Sequence, residues 1–308
     1  MGAHFEKYLA AVVQAAPVFL DRKATVEKAC GLIQEAGKSG AKLITFPEAW
    51  IPTFPHWPRA LPKGERDLSQ DAWVKLYQES VEIPGPDTRA LGDAAREAGS
   101  HLVIGVNERS REPGATLYNT LLFFNDRGEI LGKRRKLLPT YEERCCWGSG
   151  DSRDLSVFES PLGTLGGLIC GEHYHPLFRH ALALQGEQVH IAVWPKGAHL
   201  DNVADVLSRG HALESQVYVL KACGLLFPDQ VPDDFPLKRR TLWNVNGGSG
   251  IIGPNGEYLA GPVYEEETIL YSEIDPESIL REKWKVDTTG HYSRNDIVRL
   301  IMDEKILP

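Results

Sequence analysis

Short apolar runs that alternate with segments of helical periodicity constrain this chain more than any other feature. β-type runs occupy residues 9–13, 42–46, 101–106, 117–124, 165–170, 190–194 and 268–274. Between the first two, Val26, Ala29, Cys30, Ile33 and Ala36 keep the spacing of one helix face, and Gly37 with Gly40 supplies a stop. Leu91, Ala94, Ala95 and Ala98 trace a second helix ending at Gly99, and a third is predicted from about residue 203 to 222. Turn signals at Asn125-Asp126-Arg127-Gly128, Ser160-Pro161-Leu162-Gly163 and Pro254-Asn255-Gly256 each fall between β-type runs and predict hairpins. Crossover helices combined with hairpins imply an α/β fold of mixed sheets whose outer faces are covered by helices. A (β/α)8 barrel loses, because hairpins break its strict alternation.

The 308 residues leave one or two domains open by length, but no repeat, low-complexity tract or dividing linker is visible. Residues 51–71 and 227–240, rich in proline and charge, read as long surface loops. Acidic residues outnumber basic ones by 42 to 34, and the pI near 5.7 argues against a nucleic-acid surface. No apolar stretch approaches the roughly 18 to 20 residues of a membrane-spanning helix. Residues 1–7 show no secretory pattern, so a soluble, cytoplasmic protein without a membrane partner is expected. Five cysteines, an odd number, fit a reducing compartment better than a disulfide framework.

Several familiar motifs fail on their context. Gly248-Ser249-Gly250-Ile251-Ile252-Gly253 matches G-x-G-x-x-G, but a turn follows where a dinucleotide site needs a helix N-terminus. Gly37-Lys38-Ser39 has Leu32 in place of the first glycine of a phosphate loop, and neither G-x-S-x-G nor H-E-x-x-H occurs. His173 and His175, with Cys145, Cys146 and Cys170, are soft ligands at the wrong spacing for zinc, so no metal site is expected.

A stronger signal is Leu168-Ile169-Cys170-Gly171-Glu172-His173, where an apolar strand delivers a cysteine to a glycine turn ahead of a helix from Pro176. A thiol near a helix N-terminus or a cation has its pKa lowered, whereas a thiol buried in a strand is an inert core residue. Two other strand ends carry charges: Glu48 closes residues 43–48, and Lys136 lies among the cations that precede Pro139. Singly, each reads equally well as a solvated charge. Together, Glu48, Lys136 and Cys170 provide a base, a cation and a nucleophile, the parts needed for attack on a carbon–nitrogen centre.

On these segments the chain resembles the nitrilase, or carbon–nitrogen hydrolase, superfamily. Phe46-Pro47-Glu48, Arg135-Lys136-Leu137-Leu138-Pro139-Thr140 and Ile169-Cys170-Gly171-Glu172 are similar to the segments carrying its Glu-Lys-Cys triad, in the same order. Tyr141 to Arg144, Trp147 to Asp151, Gly247 to Gly256 and Asp287 to Arg294 are similar to the nitrilase branch, with a second active-site glutamate at Glu143. One departure is Gly171, where many nitrilases carry tryptophan, which implies a more open pocket wall.

The resemblance implies a four-layer α-β-β-α sandwich with two mixed β-sheets, in a single domain over 1–308 with a short tail after about 294. It implies a homodimer or a larger homo-oligomer of dimers; with 14 residues after Arg294, long regular filaments are not expected. The implied reaction is hydrolysis of a small-molecule nitrile to a carboxylic acid and ammonia, with neither metal nor organic cofactor. In it Glu48 is the base, Cys170 the nucleophile and Lys136 the stabilising cation, while Glu143 orients water or Lys136. Trp147, His173 and Trp194 lie beside these segments and are assigned to the substrate pocket. An amidase or carbamoylase is the alternative within the superfamily. A catalytically idle binding or assembly protein is the other, against which the intact Glu48, Lys136 and Cys170 argue.

Overall fold

The structure is a computed structural model that describes residues 6–60, 66–240, 245–302 and 305–306. Its first half runs β1 (Tyr8–Gln14), α1 (Arg22–Lys38), β2 (Ala41–Thr45), α2 (Arg66–Gln78), β3 (Val81–Glu82), α3 (Pro86–Ala98), β4 (His101–Arg109), β5 (Leu117–Phe124) and β6 (Ile130–Arg135). The second runs β7 (Phe158–Ser160), β8 (Gly163–Ile169), α4 (Pro176–Leu184), β9 (Val189–Trp194), α5 (Asp201–Ser215), β10 (Tyr218–Cys223), β11 (Leu225–Leu226), β12 (Val245–Ile252), β13 (Tyr258–Tyr264), β14 (Thr268–Ile274) and α6 (Pro276–Lys285).

These strands make two sheets, ordered β14-β1-β2-β4-β5-β6 with β3 on β4, and β11-β12-β10-β9-β8-β7 with β13 on β12. Each is mixed. Strands joined by helices pair in parallel (β1 with β2, β8 with β9, β9 with β10), whereas β4-β5-β6, β7-β8 and β12-β13 pair antiparallel. All three turn signals sit in such hairpins.

Strand β1 shows why the sheets stack. Ala10 and Val12 join Ile169, Ile191 and Val193 of the other sheet in one core, while Ala11 and Val13 pack with Val26, Ile33 and Leu91 of α1 and α3. A strand that must fill a core on both faces has no solvent side, so Leu9 to Val13 is an unbroken apolar run. Helices α4 and α5 pack near the second sheet, with Leu168 against Ala181 and Leu182 on one side and Ala204 and Ala212 in the central core. The result is the α-β-β-α sandwich.

Two boundaries differ from the sequence expectation. The helix predicted to about residue 222 ends at Ser215, with Gln216 in the left-handed region at φ 51°, and its remainder is strand β10. Val217 to Cys223 is buried throughout, Lys221 included, so local pattern suits either state, and parallel pairing with β9 decides. The loop predicted over 51–71 gives way to α2 at Arg66, which buries Ala72 and Leu76; residues 61–65 lie outside those described. Among the described residues no helix is long and apolar enough to cross a membrane.

Candidate active site

Strand ends bring the charged groups together. After β2 the chain passes over β4 at Gly105, where a Cβ would overlap Pro47 and the Ala49 amide; this close approach requires glycine. Glu48 thereby points inward, and Ala49 turns the backbone at φ 46°. Lys136 follows β6, tied to β5 by its amide donating to the Asn119 carbonyl at 2.8 Å. Cys170 follows β8 at φ 48°, and Tyr141, two residues before Glu143, stands at φ 50°. Left-handed backbone at non-glycine residues is strained and is held only where the surroundings determine it.

The Lys136 ammonium donates to Glu48 Oε1 at 3.0 Å and to Glu143 Oε2 at 2.7 Å, and all three side chains are buried. Asn119 Nδ2 also donates to Glu48 Oε1, at 2.7 Å, while Glu143 Oε2 accepts the Thr140 amide at 2.8 Å. Glu48 Oε2 is buried with no hydrogen-bond partner. One carboxylate oxygen each of Glu48 and Glu143 and the Cys170 sulfur lie within 4.8 Å of one another. A second group of possible ligands, Glu187, His190 and His211, is equally tight, with the Glu187 carboxylate already engaged by both imidazoles.

Burial drives the Glu48 carboxyl upward; Lys136 opposes, Glu143 reinforces, and the group settles at about 7. Lys136 also loses hydration, but Glu48, Cys170 and Glu143 outweigh that loss and hold it above the ordinary lysine value, as an ammonium. Cys170 departs from the sequence expectation of a lowered pKa. Burial, then the Glu48 charge, pushes its thiol well above the usual value, and Lys136 only partly opposes. The resting group is a thiol beside a carboxylate poised near neutrality, an arrangement in which the proton moves as the sulfur attacks.

A family model described as carbon–nitrogen hydrolase matches residues 9–282. The chain belongs to the carbon–nitrogen hydrolase family. It is 44% identical over 300 residues to Nitrilase 2 from an unknown prokaryotic organism, covering 96% of this chain and 93% of that protein. It is 40% identical over 311 residues to a nitrilase of Pseudomonas syringae pv. syringae, covering 97% and 90%. Among solved structures, Saccharomyces cerevisiae Nit3, a member of branch 10 of the nitrilase superfamily, matches with a TM-score of 0.77 at 22% identity, covering 94% of this chain and 97% of that one. That likeness is one of fold.

In this carbon–nitrogen hydrolase the three residues assigned to a substrate pocket are buried. Trp147 donates from Nε1 to Asn107 Oδ1 at 2.9 Å, and Asn107 Nδ2 donates to the carbonyls of Ile51 and Thr53, fixing the segment after Glu48. His173 and Trp194 are fully buried and stack on each other at 4.8 Å. None of the three lines the clefts described. One cleft, of about 380 Å³, is lined by Phe54, Pro55, His56, Glu143, Pro195 and Lys196 among others; a second shares Phe54, His56 and Pro195 and reaches Glu48. At Gly171 no wall is opened: a Cβ there would meet Thr140 Oγ1 at 2.6 Å. His173 points inward while Tyr174 and His175 are exposed, so this run does not converge on a common ion.

Two partners of the site escaped the sequence reading. Asn119 interrupts the apolar run 117–124, and an amide inside a buried strand was an available signal. Glu172 accepts from Arg134 Nη1 and Nη2 at 2.7 and 3.0 Å and from the amides of Leu137 and Ile169, both at 2.7 Å. It thereby clamps the segment carrying Lys136 to the strand carrying Cys170. Nothing local marks that role, since Arg134 lies 38 positions away.

Proposed function

We propose that this chain is a nitrilase that hydrolyses a small-molecule nitrile to its carboxylic acid and ammonia, with Cys170, Glu48, Lys136 and Glu143 as the catalytic groups. The observation that carries the reading is the unpartnered Oε2 of Glu48 within a carboxylate group that comes within 4.8 Å of the Cys170 sulfur. Glu48 takes the thiol proton as sulfur attacks the nitrile carbon. That proton passes to nitrogen, giving a thioimidate whose developing charge the Lys136 ammonium stabilises. Water, deprotonated by Glu48, adds to the carbon; ammonia leaves and a thioester remains. A second water releases the acid and returns the proton to sulfur. Two waters enter for each acid and ammonia that leave. Glu143 keeps Lys136 in place through its 2.7 Å bond. Phe54, Pro55 and Pro195 give the cleft an apolar lining suited to an uncharged nitrile.

The relatives named as nitrilases, similar over nearly their whole length, support this choice over the amidase reading. The same proposal has the chain acting as one unit in the cytoplasm and assembling at least as a homodimer. Apolar side chains left open on the far C-terminal part, led by Trp284 at 82% exposure with Leu280, Ile297 and Val298, support self-association. The test is kcat/KM for matched nitriles and amides of aliphatic, aryl and arylacetonitrile types, with acid, amide and ammonia quantified separately. Nitriles are expected to be preferred, with acid and ammonia as the main products. Turnover of amides alone would replace this reading with an amidase, and no turnover of either would leave a binding protein.

A further inference from the structure

The backbone carbonyl of Cys170 ends a second buried polar chain that the proposed reaction does not use. His173 Nδ1 lies 2.9 Å from that oxygen, and His173 Nε2 lies 3.0 Å from His190 Nε2. His190 Nδ1 lies 2.7 Å from Glu187 Oε1, and His211 Nε2 lies 2.9 Å from Glu187 Oε2. His211 Nδ1 is left to face the Ser215 hydroxyl at 3.3 Å. All four side chains from His173 to His211 are fully buried or nearly so. Gly166 leaves room for them, since a Cβ there would overlap the Glu187 carboxylate.

Counting protons fixes the charge of this chain. A carbonyl oxygen only accepts, so His173 Nδ1 must carry a proton; the nitrogen–nitrogen contact needs another, and each contact to Glu187 needs one more. Four contacts therefore require four protons. Three neutral imidazoles and a carboxylate bring three, which would leave two buried lone pairs facing each other across 2.7 to 3.0 Å. A fourth proton completes every bond and makes the cluster neutral.

Glu187 does not take that proton. Burial would raise its carboxyl, but His190 and His211 together hold it at about 2. Burial also disfavours an imidazolium at His190 and His173. On His190, His211 and Arg134 act in the same direction while Glu187 opposes them; on His173, His190, His211 and Arg179 act against the charge while the Cys170 carbonyl favours it. Against burial stands the geometry of the contacts, since no arrangement of three protons satisfies all four.

We propose that Glu187, His190, His211 and His173 are a positioning relay, holding one imidazolium shared by His173 and His190 against the Glu187 carboxylate and pinning the Cys170 carbonyl. A charge-assisted donor is stronger than a neutral one and holds Cys170 in its left-handed backbone conformation at φ 48°. The kinetic part of this proposal rests on Cys170 being the nucleophile; the protonation state does not.

The native protein, labelled with 15N-histidine, is to be examined by NMR at about pH 8, above the ordinary histidine range. One buried histidine is expected to show both ring nitrogens protonated, and Glu187→Gln to abolish that signature. Single tautomers at His173, His190 and His211 would overturn the relay whether or not any variant folds. In folded Glu187→Gln and His190→Gln, kcat is expected to fall about 10- to 100-fold with KM within about twofold, and alkylation of Cys170 by iodoacetamide to slow in parallel. His173→Asn, which keeps a donor near the Nδ1 position, is expected to retain more kcat than His173→Leu. Unchanged kcat in folded Glu187→Gln would overturn the positioning role. A native protein that shows the imidazolium yet turns over neither nitrile nor amide would instead refute the proposed function.

Discussion

Arg134 and Lys136 stand two residues apart at the end of one strand, each meets a buried glutamate, and the two pairs are built for opposite ends. Glu172 has both carboxylate oxygens filled, by two guanidinium nitrogens and two backbone amides. Glu48 has Oε1 accepting from Lys136 and Asn119 and Oε2 accepting from nothing. Both glutamates are equally hidden, so burial does not separate a clamp from a reactive group. Saturation does. A carboxylate with both oxygens engaged is held in place, whereas the Glu48 carboxyl, half empty in a dry setting, is raised towards neutrality and can take a proton.

The largest expected effects break the unsaturated pair. Glu48→Gln, Lys136→Ala and Cys170→Ala should each lower kcat by about 10^4-fold or more, and Glu48→Gln combined with Cys170→Ala should be little worse than either alone. Multiplying losses would show that the two residues act on separate steps. Next comes the saturated pair: Glu172→Leu strands the Arg134 charge and two amides, and urea unfolding should show a loss of about 3 to 5 kcal/mol. An unaltered midpoint would remove Glu172 from the role of clamp.

A smaller effect separates the pairs by pH. The Glu48 carboxyl binds its proton more tightly folded than unfolded, from 4.5 up to about 7, so its contribution to stability is full below 4.5 and is lost as pH rises through 7. Glu48→Gln lacks this dependence. Relative to the native protein it should therefore gain stability between about pH 5 and pH 8, on the order of 2 kcal/mol by thermal unfolding. The native rate, in turn, should fall on the acid side with an apparent pKa near 7. A flat difference in stability across that range would mean that the Glu48 carboxyl is not raised by its burial. The smallest effect is expected from Gly171→Ala, which crowds Thr140 and, through the Thr140 amide on Glu143, disturbs Lys136. About a tenfold loss of kcat, partly recovered by adding Thr140→Ala, which removes the crowded Oγ1, would tie the two regions together.

The sequence by itself determined mixed sheets covered by helices and the residue types at their strand ends, while the four-layer sandwich was implied by the family resemblance. Apolar runs, helix stops and hairpin turns are local consequences of backbone geometry, so they could be read along the chain. Even there, the fully buried segment 217–223 needed its neighbouring strand to become β10 rather than helix. Glu48, Lys136 and Cys170 were legible as a base, a cation and a nucleophile, but their state was not. Glu48 and Lys136 meet across 88 positions, and only the closed core removes the water that would otherwise keep the thiol and carboxyl near their ordinary values. His173 and Trp194 looked like pocket residues because they adjoin the site in sequence; the fold turns them into the interior, where His173 joins His190 and Glu187. Side-chain chemistry is carried by each residue, whereas desolvation and hydrogen-bond saturation belong to contacts between distant segments, and those exist only in the folded chain.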